Sequence, residues 1–170
     1  METIWESILK TEKSNEEDSL SILKKIPLFN NLSNKELKEV EKIMYYRHFR
    51  ENEHIFHQGD PGLGMYIIVK GMVKIIDEKA ETGKNIIAIL NKGDFFGELS
   101  LLAEEPRSAS AISSEESAIL GFFRPDFLDL LKRKPKLGNK ILLNLANIIG
   151  ERLKKTNQLL IEERKKSGKI

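Results

Sequence analysis

One stretch near the middle of the chain decides how the sequence is interpreted: Gly93-Asp94-Phe95-Phe96-Gly97-Glu98-Leu99-Ser100-Leu101-Leu102-Ala103-Glu104-Glu105-Pro106-Arg107-Ser108-Ala109. A glycine precedes a segment of helix-forming composition, and Pro106 ends that segment. The first N–H groups of a helix have no partner within it, so they offer a site for an anion. Arg107 leads the next strand, where a guanidinium can meet an anionic oxygen through two parallel hydrogen bonds. The stretch therefore predicts a short helix between strands with an anion site beside it.

The residues around this predicted anion site add a second kind of contact. Glu98 lies on the first turn, where a carboxylate suits the helix dipole and can accept hydrogen bonds from hydroxyl groups. Small side chains leave room for a ligand at Gly97, Ser100, Ser108 and Ala109. Together these features suit a molecule with one phosphate and a nearby sugar hydroxyl. The alternative is a buried ion pair between Glu98 and Arg107 that closes the junction of strand and helix.

The stretch resembles the phosphate-binding cassette of the cyclic nucleotide-binding domain family, which includes the bacterial catabolite activator protein and the regulatory subunits of cAMP-dependent protein kinase. Three flanking segments resemble the same family: Ile26-Pro27-Leu28-Phe29-Asn30-Asn31-Leu32-Ser33, Ile55-Phe56-His57-Gln58-Gly59-Asp60 and Met65-Tyr66-Ile67-Ile68-Val69-Lys70-Gly71. The first is similar to the entry segment, and the other two to the second and third strands. The resemblance covers roughly residues 23–150.

The resemblance implies a role for each cassette residue. Glu98 would accept a hydrogen bond from the ribose 2′-hydroxyl, and Arg107 would pair with the cyclic phosphate. Gly97 would keep the backbone close to the sugar. The phosphate cage would be completed by the backbone N–H groups of Leu99 and Ser100 and by that of Ser108 or Ala109. The family usually has glycine where this chain has Asn52, and asparagine is the next-best residue for a left-handed turn.

The identity of the nucleotide depends on the residue that follows the arginine. In the family this position is often small in cAMP binders and Thr in cGMP binders, where a hydroxyl can reach guanine. Ser108 fits either, and we favour cAMP, with cGMP as the alternative. No cofactor is expected beyond this ligand.

The fold class is expected to be mainly β with flanking α-helices. Short β-rich runs about ten residues apart, with Gly, Asp or Pro between them, predict a small antiparallel barrel or sandwich. These runs are Tyr45–Phe49, Met65–Val69, Met72–Ile76, Asn85–Leu90, Ser108–Ile112 and Ala118–Phe123. The resemblance makes it an antiparallel double-stranded β-helix, a jelly-roll-like β-roll. The expected organisation is an N-terminal helical segment over 1–25, the β-roll with its cassette over 26–135 and a C-terminal helix over 136–170.

Two helices have clear sequence signals. Ser33 with Glu36 three residues later forms a capping-box signature at the start of a short helix. A longer helix is predicted from about Leu137 to Glu163. Its apolar positions are spaced alternately four and three residues apart, which is typical of a coiled-coil seam. The seam residues are Leu142, Ala146, Ile149, Leu153, Thr156 and Leu160. We favour a homodimer through this seam, and the alternative is a helix that lies on its own barrel.

Composition excludes several classes of function. The 170 residues include no cysteine, which excludes disulfides, thiol catalysis and Cys-ligated zinc. His54 and His57 are three apart on a predicted strand and should point to opposite faces, so we expect ordinary strand residues and no metal site. The chain offers no pairing of a nucleophile with a base, so no enzyme is expected.

The partners follow from charge and hydropathy. Residues 151–170 have a net charge of +4, which we interpret as the solvated face of a helix rather than a nucleic-acid contact. The longest purely apolar run, Ile86–Leu90, is far too short to span a membrane. The N-terminus has no secretory signal. A cytoplasmic protein without membrane or nucleic-acid contacts is expected.

The resulting hypothesis is a non-catalytic sensor. Nucleotide would tighten the cassette, and contacts near Leu99 and Leu101 would shift the position of the C-terminal helix. A separate and unidentified effector protein could recognise that position. One alternative is a ligand-free dimerisation or interaction module of the same fold. Another is a DNA-binding regulator, which needs a recognition helix. We expect the β-roll and its helices to extend to about Glu163 and to leave seven residues, too few for a domain that carries a recognition helix.

Overall fold

A computed structural model describes residues 19–79 and 85–167 of the chain. In these ranges eight strands form two four-stranded antiparallel sheets, with the strand orders β1-β8-β3-β6 and β2-β7-β4-β5. The strands are β1 (Met44–Phe49), β2 (His54–Phe56), β3 (Gly64–Lys70), β4 (Met72–Asp77), β5 (Asn85–Asn91), β6 (Phe95–Phe96), β7 (Ser110–Ser113) and β8 (Ser117–Phe123). The chain changes sheet repeatedly, which is the topology of a β-roll. The expected fold class is confirmed.

Helices flank the two sheets. The longer α-helices are α1 (Asn34–Glu41), α2 (Arg124–Arg133) and α3 (Pro135–Lys166). Two 3-10 helices, Pro27–Phe29 and Glu98–Leu101, are inserted before α1 and after β6. Residues 19–23 are also helical. The rest of the expected N-terminal helical segment, residues 1–18, lies outside the described residues.

The six predicted strands agree with the observed ones to within two residues at each end. The largest difference is at β7, which begins at Ser110 rather than Ser108. The carbonyl of Ser108 accepts a hydrogen bond from the Gln58 side chain, so this residue is held by the neighbouring turn. Strand β6 was not predicted, because two residues between a turn and a glycine carry no periodicity.

Two local signals of the sequence are confirmed at atomic level. The capping box is complete, since Ser33 Oγ accepts from the backbone N–H of Glu36 and the Glu36 carboxylate accepts from the backbone N–H of Ser33. Asn52 has a φ of 62°, the left-handed conformation expected where the family usually has glycine. Its backbone N–H donates to the Ser113 carbonyl at 2.8 Å, which ties the turn between β1 and β2 to β7.

The core has two parts. The larger cluster packs the helices against the sheet that contains β1, β8, β3 and β6, with Phe122 at its centre between Phe29 and Phe127. The smaller cluster lies inside the roll and consists of Ile68, Val73, Phe96, Ala111 and Ile119. Each fully buried large apolar side chain contributes roughly 1.5–3 kcal/mol to folding. The helices are therefore integral to the domain.

Helix α3 is only partly packed on this core. Pro135 begins it, where the missing N–H needs no partner, and its buried residues end at Leu145. Asn144 secures this part, because its side-chain amide donates to the carbonyls of Leu28 and Asn30 at 3.0 and 2.9 Å. From Gly150 to the end of the helix every residue is exposed.

The predicted seam is therefore divided between two environments. Leu142 and Ile149 are half-buried against the large core cluster, so the first part of the helix lies on its own domain. Three later seam positions are exposed: Leu153, Thr156 and Leu160. Within residues 19–79 and 85–167, no helix combines the length and the apolar character needed to cross a membrane.

Candidate functional site

A cavity of about 280 Å³ lies at the edge of the β-roll beneath α3. It is slightly smaller than the roughly 300–1,000 Å³ of typical small-molecule sites. All seven candidate site residues line it, namely Gly97, Glu98, Leu99, Ser100, Arg107, Ser108 and Ala109. The 3-10 helix Glu98–Leu101 forms one wall, and the segment that leads into β7 forms the opposite wall. The fold thus brings together every residue that the sequence assigned to the ligand.

Gly97 makes the close approach of these two walls possible. Its φ is 74°, a left-handed conformation that favours glycine. A Cβ at this position would lie 2.6 Å from Nη1 of Arg107. The absence of a side chain therefore serves both the turn and the packing of the arginine.

Arg107 is a buried cation whose hydrogen-bond partners are neutral. The residue is 7% exposed. Its Nη1 donates to Ser100 Oγ at 2.9 Å, and its Nη2 donates to the Gly64 carbonyl at 2.7 Å. The guanidinium lies 4.2 Å from the centroid of the Phe56 ring. Its Nε is buried without a hydrogen-bond partner.

The electrostatic state of Arg107 follows from this environment. Burial is the main reason that the pKa of its guanidinium is lowered. Arginine nevertheless remains protonated in proteins, so the charge stays. A buried charge is unfavourable unless it is paired and fully hydrogen-bonded. An anion in the cavity would supply both the opposite charge and an acceptor.

Glu98 is also buried, at 4% exposure, but it already has a charged partner. Nη1 of Arg152, on α3, donates to Glu98 Oε1. The same guanidinium lies 5.0 Å from the centroid of the Phe95 ring. Glu98 thus forms its ion pair with the C-terminal helix, and not with Arg107 as the alternative interpretation of the sequence held.

Arg152 was missed at the level of sequence. It lies 54 positions from Glu98, in a basic stretch that we interpreted as a solvated helix face. Nothing in its local pattern distinguishes it from the neighbouring lysines. Only the packing of α3 across the cavity places it in the site.

One backbone N–H group of the cassette is not directed toward the cavity as the resemblance implied. The N–H of Ser100 donates to the Gly97 carbonyl at 3.1 Å, as a 3-10 turn requires, and is not directed to a ligand. Ser100 instead contributes through its hydroxyl, which orients Arg107. Leu99 is 59% exposed, whereas Leu101 is buried in the large core cluster.

The far wall of the cavity is held by the turn between β2 and β3. The Gln58 side-chain amide donates to the Ser108 carbonyl at 2.9 Å and to Asp77 Oδ1 at 3.1 Å. The backbone of Arg107 is bonded on both sides, since its N–H donates to the Asp60 carbonyl and its carbonyl accepts from Gly59. Gln58 therefore positions the cassette, a role that its place in a turn did not reveal.

The positions of His54 and His57, at the start and just past the end of β2, contradict the prediction made from strand alternation. We expected His54 and His57 on opposite faces of a strand, but their rings stack with centroids 4.0 Å apart. Strand β2 ends at Phe56, and a turn follows in which the His57 backbone N–H donates to Asp60 Oδ2 at 2.7 Å. The alternation of side chains applies only within a strand, so it does not reach His57.

Comparison with known proteins agrees with this geometry. The sequence profile of the family described as "Cyclic nucleotide-binding domain" matches residues 46–134. The Cyclic AMP receptor protein of Thermus thermophilus is 33% identical over 135 residues, which are 79% of this chain and 61% of that protein. The cGMP-dependent protein kinase egl-4 of Caenorhabditis elegans is 35% identical over 95 residues, which are 55% of this chain and 12% of the kinase. The chain thus spans less than two thirds of both relatives.

A solved structure gives the same result. The crystal structure of a cyclic nucleotide-binding domain from Methylobacillus flagellatus superimposes with a TM-score of 0.75 at 30% sequence identity. The match covers 89% of this chain and 84% of that one.

Proposed function

Because the chain belongs to the cyclic nucleotide-binding domain family, we propose that it is a non-catalytic regulatory protein that binds cAMP in the cavity beside Arg107. Binding in that cavity would control the position of α3. Gly97, Glu98 and Arg107 would contact the sugar and the phosphate, and the cavity walls at Leu99, Ser100, Ser108 and Ala109 would enclose them.

The observation that carries the proposal is the state of Arg107. Its guanidinium is buried, its hydrogen bonds go to neutral oxygens and its Nε has no partner. A cyclic phosphate is a monoanion with oxygens that can accept from such a group. Hydrogen bonds to charged groups contribute about 1.5–3 kcal/mol each. Filling the cavity with this anion would convert an unfavourable buried charge into a paired one.

Glu98 connects ligand binding to the C-terminal helix. Its carboxylate is the acceptor that a ribose 2′-hydroxyl would use, and Arg152 of α3 now occupies it. A nucleotide that bonds Glu98 would compete with Arg152 and release or move this part of the helix. A ligand can shift such an equilibrium only by its difference in affinity for the two helix positions. The competition for Glu98 supplies that difference.

Ser108 is the residue that bears on the choice between cAMP and cGMP; it fits either nucleotide, and we favour cAMP. This residue is exposed at the cavity wall, where its hydroxyl could reach the base of either nucleotide. Relatives named for both nucleotides resemble this chain, so cGMP is the alternative ligand.

A second function is favoured by the ion pair itself. Since Arg152 already satisfies Glu98, the domain could serve as a ligand-free interaction module that holds α3 in one position. In either function, the exposed end of α3 would be the surface for a second copy of the chain and for an effector protein.

Thermal denaturation with and without cAMP and cGMP tests the proposal. A ligand at 100-fold excess over its dissociation constant stabilises by about 2.7 kcal/mol, which corresponds to several degrees in Tm for a domain of this size. We expect a larger shift with cAMP. Absence of a shift with either nucleotide at millimolar concentration would overturn the proposal in favour of the ligand-free module.

The Arg107→Gln variant locates the binding site. We expect it to lose most of the nucleotide-induced shift, while the exposed Arg133→Gln retains it. Circular dichroism without nucleotide checks that both variants are folded. A folded Arg107→Gln protein with an undiminished shift would refute this assignment of the site.

A further inference from the structure

A second cluster of chemically active side chains lies outside the cavity, where the turn after β2 meets the end of β4. Its members are His54, His57 and Glu78. His54 Nε2 lies 3.4 Å from Glu78 Oε1, and His57 Nδ1 lies 3.9 Å from the same oxygen. One ligand-type atom from each residue falls within 4.8 Å of the other two. The nucleotide-binding proposal uses none of these three side chains.

The spacing of these atoms matches the requirements of a metal ion. Tetrahedral zinc holds nitrogen and oxygen ligands at about 2.0–2.2 Å, which separates neighbouring ligand atoms by roughly 3.3–3.5 Å. The separation of His54 Nε2 from Glu78 Oε1 is already in this range, and that of His57 Nδ1 from the same oxygen exceeds it by about half an ångström. The two histidine nitrogens lie within 4.8 Å of each other. The imidazole rings, which are stacked nearly parallel, would have to turn about their side-chain bonds to direct both nitrogens at one ion.

The chemistry of the cluster also selects a class of ion. Imidazole nitrogens suit zinc, copper and nickel, whereas calcium and magnesium prefer sites built from oxygen alone. Two histidines and one glutamate form a recurrent three-ligand set for zinc, with water or another ligand in the open position. We propose that His54, His57 and Glu78 form a binding site for a divalent transition ion of the zinc type.

The backbone around the cluster is held in place independently of any ion. The Glu78 backbone N–H donates to Gln58 Oε1 at 2.9 Å, which ties β4 to the turn. The His57 backbone is fixed by two hydrogen bonds with Asp60, one of them to the side chain. The rings of His54 and His57 are stacked within 16° of parallel. Three ligand-bearing residues from two chain segments are thus brought together by a rigid turn.

Titration calorimetry with zinc chloride tests the site, using the full chain without a polyhistidine tag and without nucleotide. The chain has three histidines, so His48→Ala is a matched control for His54→Ala and His57→Ala. Outer-sphere partners of metal ligands alone change affinity by about 10–100-fold, so loss of a direct ligand should weaken binding by about tenfold or more. We expect this for His54→Ala, His57→Ala and Glu78→Gln, with His48→Ala unchanged.

Visible absorption of bound Co²⁺ supplies a second readout. It reports imidazole ligation directly, and we expect its bands in the wild type and in His48→Ala but not in the double variant His54→Ala/His57→Ala. One zinc per chain with these dependences supports the site. No measurable binding at submillimolar zinc, or equal binding by the double variant, would overturn it. Neither result depends on whether the cavity binds a nucleotide.

Discussion

Glu98 and Arg107 are the two buried charged side chains among residues 19–79 and 85–167, and both line one cavity. Their situations differ, because Glu98 is paired with Arg152 while Arg107 has only neutral hydrogen-bond partners. A buried charge without a charged partner is unfavourable, and groups perturbed in this way cluster at functional sites. This difference favours an anionic ligand that pairs with Arg107, because Arg107 is the buried charge that has no charged partner.

Gly97 offers a prediction at the scale of a single residue. In Gly97→Ala the new Cβ would meet Arg107 Nη1 at 2.6 Å, in addition to the strain of a left-handed alanine. Gly93→Ala is the matched control, since its φ of 90° carries the strain but a Cβ there meets nothing within 4 Å. We expect Gly93→Ala to lose about 1–2 kcal/mol of stability and Gly97→Ala to lose more. Only Gly97→Ala should also lose nucleotide affinity, by about tenfold. Equal nucleotide affinities of the two variants in calorimetric titrations would contradict the prediction.

Arg152 offers a second prediction, with the opposite sign. If it competes with the nucleotide for Glu98, then Arg152→Gln should raise nucleotide affinity. Because this arginine is half exposed, solvent screens the ion pair, and we expect an increase of about threefold to tenfold. Lys155→Gln, an exposed cation on the same helix, should change affinity little. A fall in affinity for Arg152→Gln would show that the arginine contacts the ligand instead.

At the scale of elements, an ion pair adds to the apolar contacts of α3 by attaching it to α1. Lys140 on α3 donates to the Glu36 carboxylate at 2.8 Å, and Glu36 also closes the capping box of α1. The hydrogen bond from Lys140 is the main cause that lowers the pKa of Glu36 from its ordinary value of 4.5 to about 2, and the Ser33 backbone N–H adds to it. One carboxylate thus secures both a helix start and a helix–helix contact.

This lowered pKa predicts a pH dependence of stability. Because the folded-state pKa lies below the unfolded value, the contribution of Glu36 is fully present above pH about 5 and is lost as the pH falls toward about 2. In Glu36→Gln we expect a loss of about 1 kcal/mol at pH 7, after allowance for solvent screening. The difference from the wild type should shrink as the pH falls through that window.

Urea denaturation from pH 7 down to the lowest pH at which the chain still folds measures the effect. Glu51→Gln, an exposed carboxylate on the turn after β1, is the control. A difference between Glu36→Gln and the wild type that is constant with pH would contradict the assignment.

At the scale of the whole molecule, the C-terminal half of α3 extends beyond the domain. The helix has 32 residues, a length of about 48 Å, and its contacts with the core end at Ile149, just before its last four turns. Leu153, Leu159 and Leu160 are each at least half exposed there. A lone helix end with this pattern favours pairing with a second copy through the heptad positions.

Dimerisation is therefore predicted to depend on the outer seam. Sedimentation equilibrium should give about twice the 19.5 kDa of one chain. The double variant Leu153→Asp/Leu160→Asp should be monomeric, because each carboxylate would enter an apolar seam. Leu143→Asp, at an exposed leucine off the seam, should remain dimeric. A monomeric wild type at micromolar concentration would contradict the prediction.

Much of this architecture could be predicted from local sequence. Six strands, the capping box, the left-handed turn at Asn52 and the short helix after Gly97 depend on periodicity or on residue-specific backbone preferences, and both act between near neighbours. The resemblance of the cassette then assigned seven residues to one site. Those residues lie within one segment of 13 positions, so one local reversal of the chain is enough to bring them together.

The remaining features required the tertiary structure, because they join segments that are distant in sequence. Arg152 reaches Glu98 across 54 positions, and Gln58 reaches the Ser108 carbonyl across 50. The stacking of His54 on His57 depends on the end of β2 and on a turn that the alternation rule does not describe. Local sequence predicted antiparallel strands and a short helix beside Arg107, and the resemblance extended this prediction to a β-roll with an anion-binding cassette. Only the packing of α3 and of the β2–β3 turn against that cassette placed Arg152 beside Glu98 and Gln58 beside Ser108, because contacts between distant segments leave no local pattern in the sequence.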